Sequence, residues 1–543
     1  MVQFVSCLVR TPIARSPSTK DHAFAPTNRR FPRTHYLPLV YSIFADTATP
    51  LTLFRAWLAW LCTVYSGLSI LRSRAIMEKT QPGRPRTVAI VGTGMAGLTT
   101  AHLLHQDPER RYKVTLLEKR DQISLSAESI SVPSKDGNNS VIWADVPMRA
   151  FAGGFYQNLI RMYDYLAVNY HAQPFLFSFT RLPRPQQASS PTSCVPGPQM
   201  IYASNFHQVP PVPRTVDLIH WLVEGVYAIV CYVWFTFCCF FIAPFEEDPQ
   251  TGAPSESLDH YLRRIWLPQT YVVNYLLPLI SSVCTCSHQE LLCFPASDIL
   301  AYKRRTHRQQ HFVVTAGVHS VQQKLLQGIQ VRLGVNLTHV APQNDSVQIT
   351  YSTLDGQTTS EHFDLVVLAV SPDVAASLFS PLKSQLSAIP TTTVETVAHT
   401  DETSILPILR ATSLKHRKSD FSSQTQRIHF FSNGSITEAV HEQPNSILIT
   451  TNPLFPLDES KIIRSASFTR VLRSPRSRMF INSIFRDRSQ REISSVSWRS
   501  GDDRVYLAGG WCWDGMVLLE GCIVSAMRIA VDLGVTVPWD SAE

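Results

Sequence analysis

Residues 87–118 read TVAIVGTGMAGLTTAHLLHQDPERRYKVTLLE, and no other stretch restricts the fold as strongly. Residues 87–91 are a short apolar run with β-branched side chains, suited to a buried strand. Gly92, Gly94 and Gly97 follow in the spacing G-x-G-x-x-G. From Met95 to His105 the pattern is helical, with Leu98, Ala101 and Leu104 on one side. Residues 113–117 are a second strand-like run that ends on Glu118. Each glycine has a physical task in such a βαβ unit. Gly92 permits the tight turn, Gly94 lets a phosphate approach the backbone, and Gly97 lets the helix pack on the strand. The helix then offers free N–H groups and the positive end of its dipole to a pyrophosphate. Glu118 stands about 20 residues past the last glycine, where a carboxylate accepts hydrogen bonds from ribose hydroxyls. The stretch therefore predicts a dinucleotide site, with Met95, Ala96 and Lys119 beside it.

A chain of 543 residues is long enough for two or more domains, each with its own core. The formal charge of +7 is not spread over the protein. Residues 1–76 carry nine Lys/Arg against two acids, and the remainder is balanced. No basic body exists, which excludes an electrostatic case for nucleic acid. The cysteines form no C-x-x-C pair. Cys284, Cys286, His288 and Cys293 lie close together but match no zinc-finger spacing, so they read as buried thiols and no metal is expected.

Along the chain, residues 1–76 form a basic extension, rich in Arg, Ser and Pro, with a largely apolar run at 51–71. Two readings stand: a targeting segment followed by a membrane anchor, or an extension ahead of a start at Met77. Asp136-Gly137 marks a hairpin turn, and residues 157–166 carry a helical repeat of Leu159, Met162, Tyr163 and Leu166. Arg149, just before Ala152-Gly153-Gly154, is a candidate for a phosphate or a flavin edge. Residues 181–214 read as a Pro- and Ser-rich loop. Residues 225–243 are uncharged, aromatic and about long enough to cross a bilayer, and 265–283 are a second uncharged run broken by Pro268 and Pro278. Nucleotide-binding strands precede this region and the run at 365–370 follows it, so a single crossing would divide one domain between two sides of a membrane. The segment therefore crosses twice with its partner, dips into one leaflet, or is buried in the substrate domain, and the last two together, as an apolar wall for an apolar substrate, are expected. From His311 the cofactor domain resumes as strand, turn and helix, then strands with an Asp355-Gly356 hairpin and a strand over 362–370. The basic run at 415–427 reads as a solvated loop. Residues 504–534 give a second strand, Gly509-Gly510 turn and helix, with Ile523, Ala526 and Ala530 inward. Such a helix end stabilises negative charge on a reduced flavin.

These pieces, in this order from about Arg86 to Gly534, resemble the flavin-containing amine oxidase and phytoene-desaturase-like superfamily. The resemblance rests on the first glycine motif with Glu118, on FDLVVLAV, and on AGG…LLEGCIVSA. DVPMRAFAGGFYQNL and ETVAHTDETSILP resemble a branch of predicted FAD/NAD-binding proteins that includes flavoproteins associated with acyl-chain desaturation. The resemblance implies an α/β fold: a Rossmann-type FAD-binding domain, GR2 and amine-oxidase-like, with an inserted mixed α+β substrate domain. The expected parts are the extension 1–76, FAD-binding segments 77–150, 311–390 and 501–543, and substrate segments 151–310 and 391–500. Cofactor contacts are expected from Gly92, Gly94, Met95, Ala96, Gly97, Glu118, Lys119, Arg149, Val340, Gly509, Gly510, Leu519 and Glu520. The family's Gly-Gly-Arg after the acid is replaced by Ile123-Ser124-Leu125-Ser126, and Arg149 is the candidate substitute. Cys512 resembles the cysteine of covalent flavin links, in different surroundings.

The expected activity is transfer of hydride from the C–H bond of an apolar, lipid-like substrate to FAD, of desaturase type. His399 and Asp401 are the candidates for acid–base work, and Lys303 for orienting a water at the flavin. The alternatives are amine oxidation and a non-redox lipid or prenyl escort of the same fold. A membrane-associated protein with a cytoplasmic catalytic part is expected, with the electron acceptor open.

Overall fold

The computed structural model describes residues 84–123, 128–133, 141–182, 200–203, 218–248, 253–353, 355–406, 425–443, 446–485 and 498–540. The extension 1–76 with its apolar run, the turn at Asp136-Gly137, most of the 181–214 loop and the basic run up to residue 424 lie outside the described residues.

Five strands make a parallel sheet: β1 (Arg86–Val91), β2 (Tyr112–Leu117), β3 (Gln330–Arg332), β4 (Leu365–Leu368) and β5 (Val505–Leu507). Their spatial order is β3-β2-β1-β4-β5. The central strands are almost wholly buried, as a parallel sheet covered on both faces requires. Helix α1 (Met95–His105) crosses from β1 to β2. Helix α4 (Leu519–Asp532) follows β5 and packs on α1, with Leu98, Ala101, Ile523, Ala526 and Ala530 in one core. The order reverses between β1 and β4, which opens a crevice at the carboxyl ends of those strands.

Two details differ from the sequence reading. The run at 362–370 is not one strand. Thr358–Phe363 closes an antiparallel meander, and β4 begins after Asp364. Asp364 makes the break by accepting hydrogen bonds from the Thr87 amide at 2.6 Å and its hydroxyl at 2.9 Å, which ties β4 to β1. The strand His311–Val314 also leaves the parallel sheet and pairs antiparallel with Ala150–Ala152 and Tyr170–Ala172. β3 lies beside β2.

A second, seven-stranded sheet runs Ile462–Val471, Thr391–His399, Ile447–Thr451, Thr437–Gln443, Gln426–Ser432, Phe175–Arg181 and Met200–Ala203. Against it lie α2 (Leu218–Phe241) and a helical stretch spanning 269–284, and α3 (Ala296–Thr306) packs on α2. The 269–284 stretch corresponds to the second apolar run and is largely core, with Val272, Leu276 and Leu277 buried.

α2 is the one described helix long and apolar enough to cross a membrane. Only a narrow face is buried, through Ala228, Cys231, Phe235, Cys238 and Cys239. Val226, Ile229, Val230, Val233, Phe237 and Phe241 are exposed, and Trp266 beside them is 88 % exposed. The buried face is tied down along its length. Glu224 accepts from Tyr275, the Trp234 indole donates to the Ile265 carbonyl, and the Tyr261 hydroxyl donates to the carbonyls of Cys238 and Ile242. The strands Phe175–Arg181 and Gln426–Ser432 flank α2 in sequence and pair directly with each other. α2 is therefore held along the surface of the body that contains both.

Candidate active site

Gly92 has φ +99°, and a Cβ there would stand 2.6 Å from the Ala369 carbonyl oxygen. A Cβ on Gly97 would stand 2.1 Å from the Gly92 carbonyl oxygen. Backbone conformation and packing thus account for these two glycines. Gly94 differs: at φ −64° and ψ 171° it has an extended backbone open to any residue. No backbone conformation requires a glycine there. α1 begins there with no side-chain cap and no acid in its first turn, so its N-terminal dipole faces the crevice uncompensated. Met95 and Ala96 are buried beneath this turn.

Glu118 reaches back to the same loop. It accepts from the Thr93 amide at 3.0 Å and hydroxyl at 2.5 Å, and from the Arg120 amide at 3.1 Å. Lys119 beside it is exposed. Val340 is packed in the core with Val91, Leu117 and Val335, where it supports the ends of β1 and β2.

The second half of the site is the turn after β5. The Gly509 amide donates to the Ser525 hydroxyl at 3.1 Å, which anchors the turn to α4. A Cβ on Gly510 would lie 3.0 Å from the Leu518 carbonyl oxygen, and one on Gly521 would lie 2.6 Å from the Gly510 carbonyl oxygen. α4 also starts without a side-chain cap, at Leu518, and Leu519 is half-buried in its first turn. The two turns meet. The Cys522 thiol interacts with the backbone of Ala96 on one side and of Gly510 on the other. Arg149 and Arg470 act electrostatically on that thiol. Arg149 is half-buried, and burial draws its pKa down against the attraction of Asp145. Phe155 packs edge-on against Tyr302 of α3 at 4.8 Å and against Trp513 of the closing turn at 5.9 Å.

Residues 90–166 match the family model of an NAD(P)-binding Rossmann-like domain, and residues 245–444 match that of the flavin containing amine oxidoreductases. The chain belongs to the flavin amine oxidase superfamily. Its fold is similar to that of cyclohexylamine oxidase from Brevibacterium oxydans IH-35A, with a TM-score of 0.50 and 12% identity, covering 83% of this chain and 100% of that one. No curated protein matches it. As a member of this superfamily the protein is an FAD-dependent oxidoreductase. Its own residues fit FAD. Two uncapped helix N-termini converge, Gly94 is bare without a backbone reason, and Glu118 stands at the end of β2.

Several expected residues have other tasks in this flavin amine oxidase fold. Glu520 is buried and caps a different helix, Gln157–Tyr165, by accepting from the Asn158 amide at 2.9 Å, its side chain at 2.8 Å and the Leu159 amide at 3.1 Å. Its carboxylate is spent on that cap rather than on a cofactor. Lys303 is drawn to α2, where its ammonium donates to the Tyr232 hydroxyl at 2.8 Å and lies over that ring. That engagement replaces the expected water-orienting role. Cys512 lies in a core with Trp511 and Ile481, and burial pushes its thiol well above the usual range.

His399 and Asp401 also leave the catalytic list. They end the nine-residue strand Thr391–His399, whose other end pairs Thr391 with Val471, next to Arg473 and the closing turn. At ~3.3 Å per residue the strand is about 26 Å long, and His399 lies at the end opposite Thr391. The buried His399 ring bonds to the Thr450 hydroxyl at 2.7 Å and accepts from the Asp401 amide at 3.1 Å, and burial keeps it neutral. Burial alone would raise the Asp401 carboxyl, yet hydrogen bonds from Thr403, Asp458 and Lys461 hold it well below the usual carboxylate range. His399→Ala is expected to change the rate of flavin reduction less than about twofold and to cost ~1–3 kcal/mol of stability, measured by stopped-flow reduction and urea unfolding.

Residues that sequence reasoning missed hold the closing turn. The Arg473 guanidinium donates to the carbonyls of Trp511 at 3.2 Å and Gly515 at 3.1 Å. Asp298, fully buried at the start of α3, faces Arg473 at 3.9 Å and Arg478 at 3.3 Å. Burial pushes its carboxyl up to about 6 despite both guanidiniums, so it is ionised at neutral pH. Only Arg470 left a trace in the sequence: it alternates with Phe468 and Leu472, in an inward position of an edge strand.

Proposed function

We propose that the protein oxidises a C–H bond of an apolar, lipid-like substrate in the manner of a desaturase. FAD bound across the two turns would supply the two-electron acceptor. In this reading the FAD-binding part comprises 77–150, 311–390 and 501–543, and the substrate part 151–310 and 391–500. The carrying observation is a continuous apolar wall. It is built in layers: α2 has an exposed apolar face, α3 packs on α2, and Tyr302 of α3 packs on Phe155, which meets Trp513 at the closing turn. These side chains would exclude water and align an alkyl chain. The same exposed face suits contact with a lipid surface, from which such a chain could enter. The Tyr156 hydroxyl, pushed well above its ordinary range by burial, stays a neutral donor in this wall.

Amine oxidation is the second reading. It is favoured by the matched family model and by the fold shared with an enzyme named for cyclohexylamine. Anaerobic mixing of the purified flavoprotein with fatty acyl substrates and with alkyl amines separates the two. Bleaching of the flavin by acyl substrates alone supports desaturation. Bleaching by amines, with peroxide released in air, overturns it.

A further inference from the structure

α2 is bound on one side and bare on the other. Its bound side is fixed to the protein at three heights. Glu224 accepts from the Tyr275 hydroxyl, the Tyr232 hydroxyl accepts from Lys303 at 2.8 Å, and the Trp234 indole donates to the Ile265 carbonyl at 2.9 Å. On the bare side, every exposed side chain from Leu222 to Phe241 is apolar. These side chains recur at helical spacing, through Val223, Val226, Val230, Val233, Phe237 and Phe241, and form one stripe. At ~1.5 Å per residue the stripe is about 28 Å long. The exposed Trp266 follows Ile265, which holds Trp234, and so stands beside the stripe. An apolar surface of this extent marks a place of interaction.

The chemistry of the stripe selects its occupant. A protein partner makes about one hydrogen bond per 100–200 Å² of interface. The stripe offers no group for them, because its backbone is bonded within the helix and its Trp234 donor is spent on Ile265. Acyl chains ask for none. The rim supplies charge of one sign. α3 lies along α2, with Lys303 at Tyr232 and the His307 ring 5.5 Å from that of Phe240. Arg304 and Arg308, next to these two, are exposed, and among the described residues no carboxylate forms an ion pair with either. Glu246 and Glu256, acids at this end of α2, are taken by Arg478 at 3.2 Å and Arg264 at 2.8 Å. Cations beside an apolar stripe complement anionic headgroups beside acyl chains. The direction of α2 follows from its ends. The strands that flank it in sequence pair with each other, so the helix returns to the body it leaves.

We propose that α2 seats the protein on one leaflet of an anionic lipid bilayer. The helix lies in the membrane plane, with its stripe and Trp266 among the acyl chains and with Arg304 and Arg308 at the headgroups. This rests on the lipid contact in the proposed function and fixes its geometry, and it holds whichever C–H bond is oxidised. A helix that lies on a membrane ordinarily has a charged face turned to water. Here the protein body takes the place of that face, so a helix with little charge of its own lies flat. Tryptophan suits the boundary, since its ring is apolar and its N–H reaches the headgroups.

The test is flotation of the full-chain holoenzyme with phosphatidylcholine vesicles containing about a third phosphatidylglycerol, against vesicles of phosphatidylcholine alone. The parent is expected to float with the mixed vesicles. Val226→Glu together with Val233→Glu, both on the exposed stripe, should lower its partition coefficient at least about tenfold while flavin content stays unchanged. Arg304→Glu with Arg308→Glu should lower it about fivefold or more, on the mixed vesicles only. A stripe variant that floats as well as the parent overturns the seat and makes the apolar run at 51–71 the anchor. Equal flotation of the parent on both kinds of vesicle overturns the anionic headgroup. A parent that floats with neither overturns the seat, and a dimer that the stripe variant turns into a monomer then makes a second copy the occupant. Depth is read on the parent alone and stands even if a variant does not fold. Lipid brominated near the headgroup end of its chains should quench tryptophan fluorescence more than lipid brominated near the chain ends, and Trp266→Phe should reduce that difference. The reverse order overturns a helix in the membrane plane. A parent that floats as expected while acyl substrates leave its flavin oxidised supports the seat and counts against desaturation.

Discussion

Gly94→Val is expected to give a folded protein without flavin. The backbone at Gly94 is extended, at φ −64° and ψ 171°, so a side chain imposes no conformational strain. What valine adds is an isopropyl group over the uncapped start of α1, where the pyrophosphate would come to the amides. FAD content should fall by at least about tenfold, while stability in the apo form changes by less than about 0.5 kcal/mol. Measuring the FAD-to-protein ratio and the urea midpoint on one sample separates the two effects. The contrast is Gly97→Val, whose Cβ would lie 2.1 Å from the Gly92 carbonyl oxygen and must push helix and strand apart. That variant should lose fold and flavin together. Full flavin content in Gly94→Val would remove the cofactor from this turn.

Asp298→Ala carries the second large effect. The carboxylate is buried between Arg473 and Arg478, and its removal leaves Arg473 buried without a counter-ion. Breaking a buried pair in this way costs about 3–5 kcal/mol. The loss should reach the closing turn as well, because Arg473 is the donor to Trp511 and Gly515. Flavin affinity is therefore expected to fall along with the unfolding midpoint. A cost below about 1 kcal/mol, the range of an exposed pair, would show that the three charges are solvated.

Local features of this protein could be read from its sequence, and distant ones could not. The first glycine turn is written within a dozen residues, and each glycine's task follows from rules of turn and packing. α4 and its Gly509-Gly510 turn were legible for the same reason. The break at Asp364 was not, because nothing in FDLVVLAV tells that the aspartate will be claimed by Thr87. His399 and Asp401 have the residue types of acid–base catalysis, but their distance from the turn is set by the length and register of a strand. Lys303 lies on a helix whose spacing cannot say whether it faces a cofactor or Tyr232 of α2. The grouping of Asp298, Arg473 and Arg478 joins residues far apart in sequence, and only folding brings them together.

The parallel sheet opens with β1 and is not complete until β5 and α4 have joined it. A ribosome adding roughly 5–20 residues per second would leave some tens of seconds between the two turns. From the time β4 pairs with β1 until β5 is made, β4 has an unfilled edge, and the glycine loop has no opposing helix. Cofactor capture is thus a late event in the life of each new molecule, and a cell short of the vitamin precursor would be expected to accumulate chains that are fully translated but vulnerable to proteases at this seam.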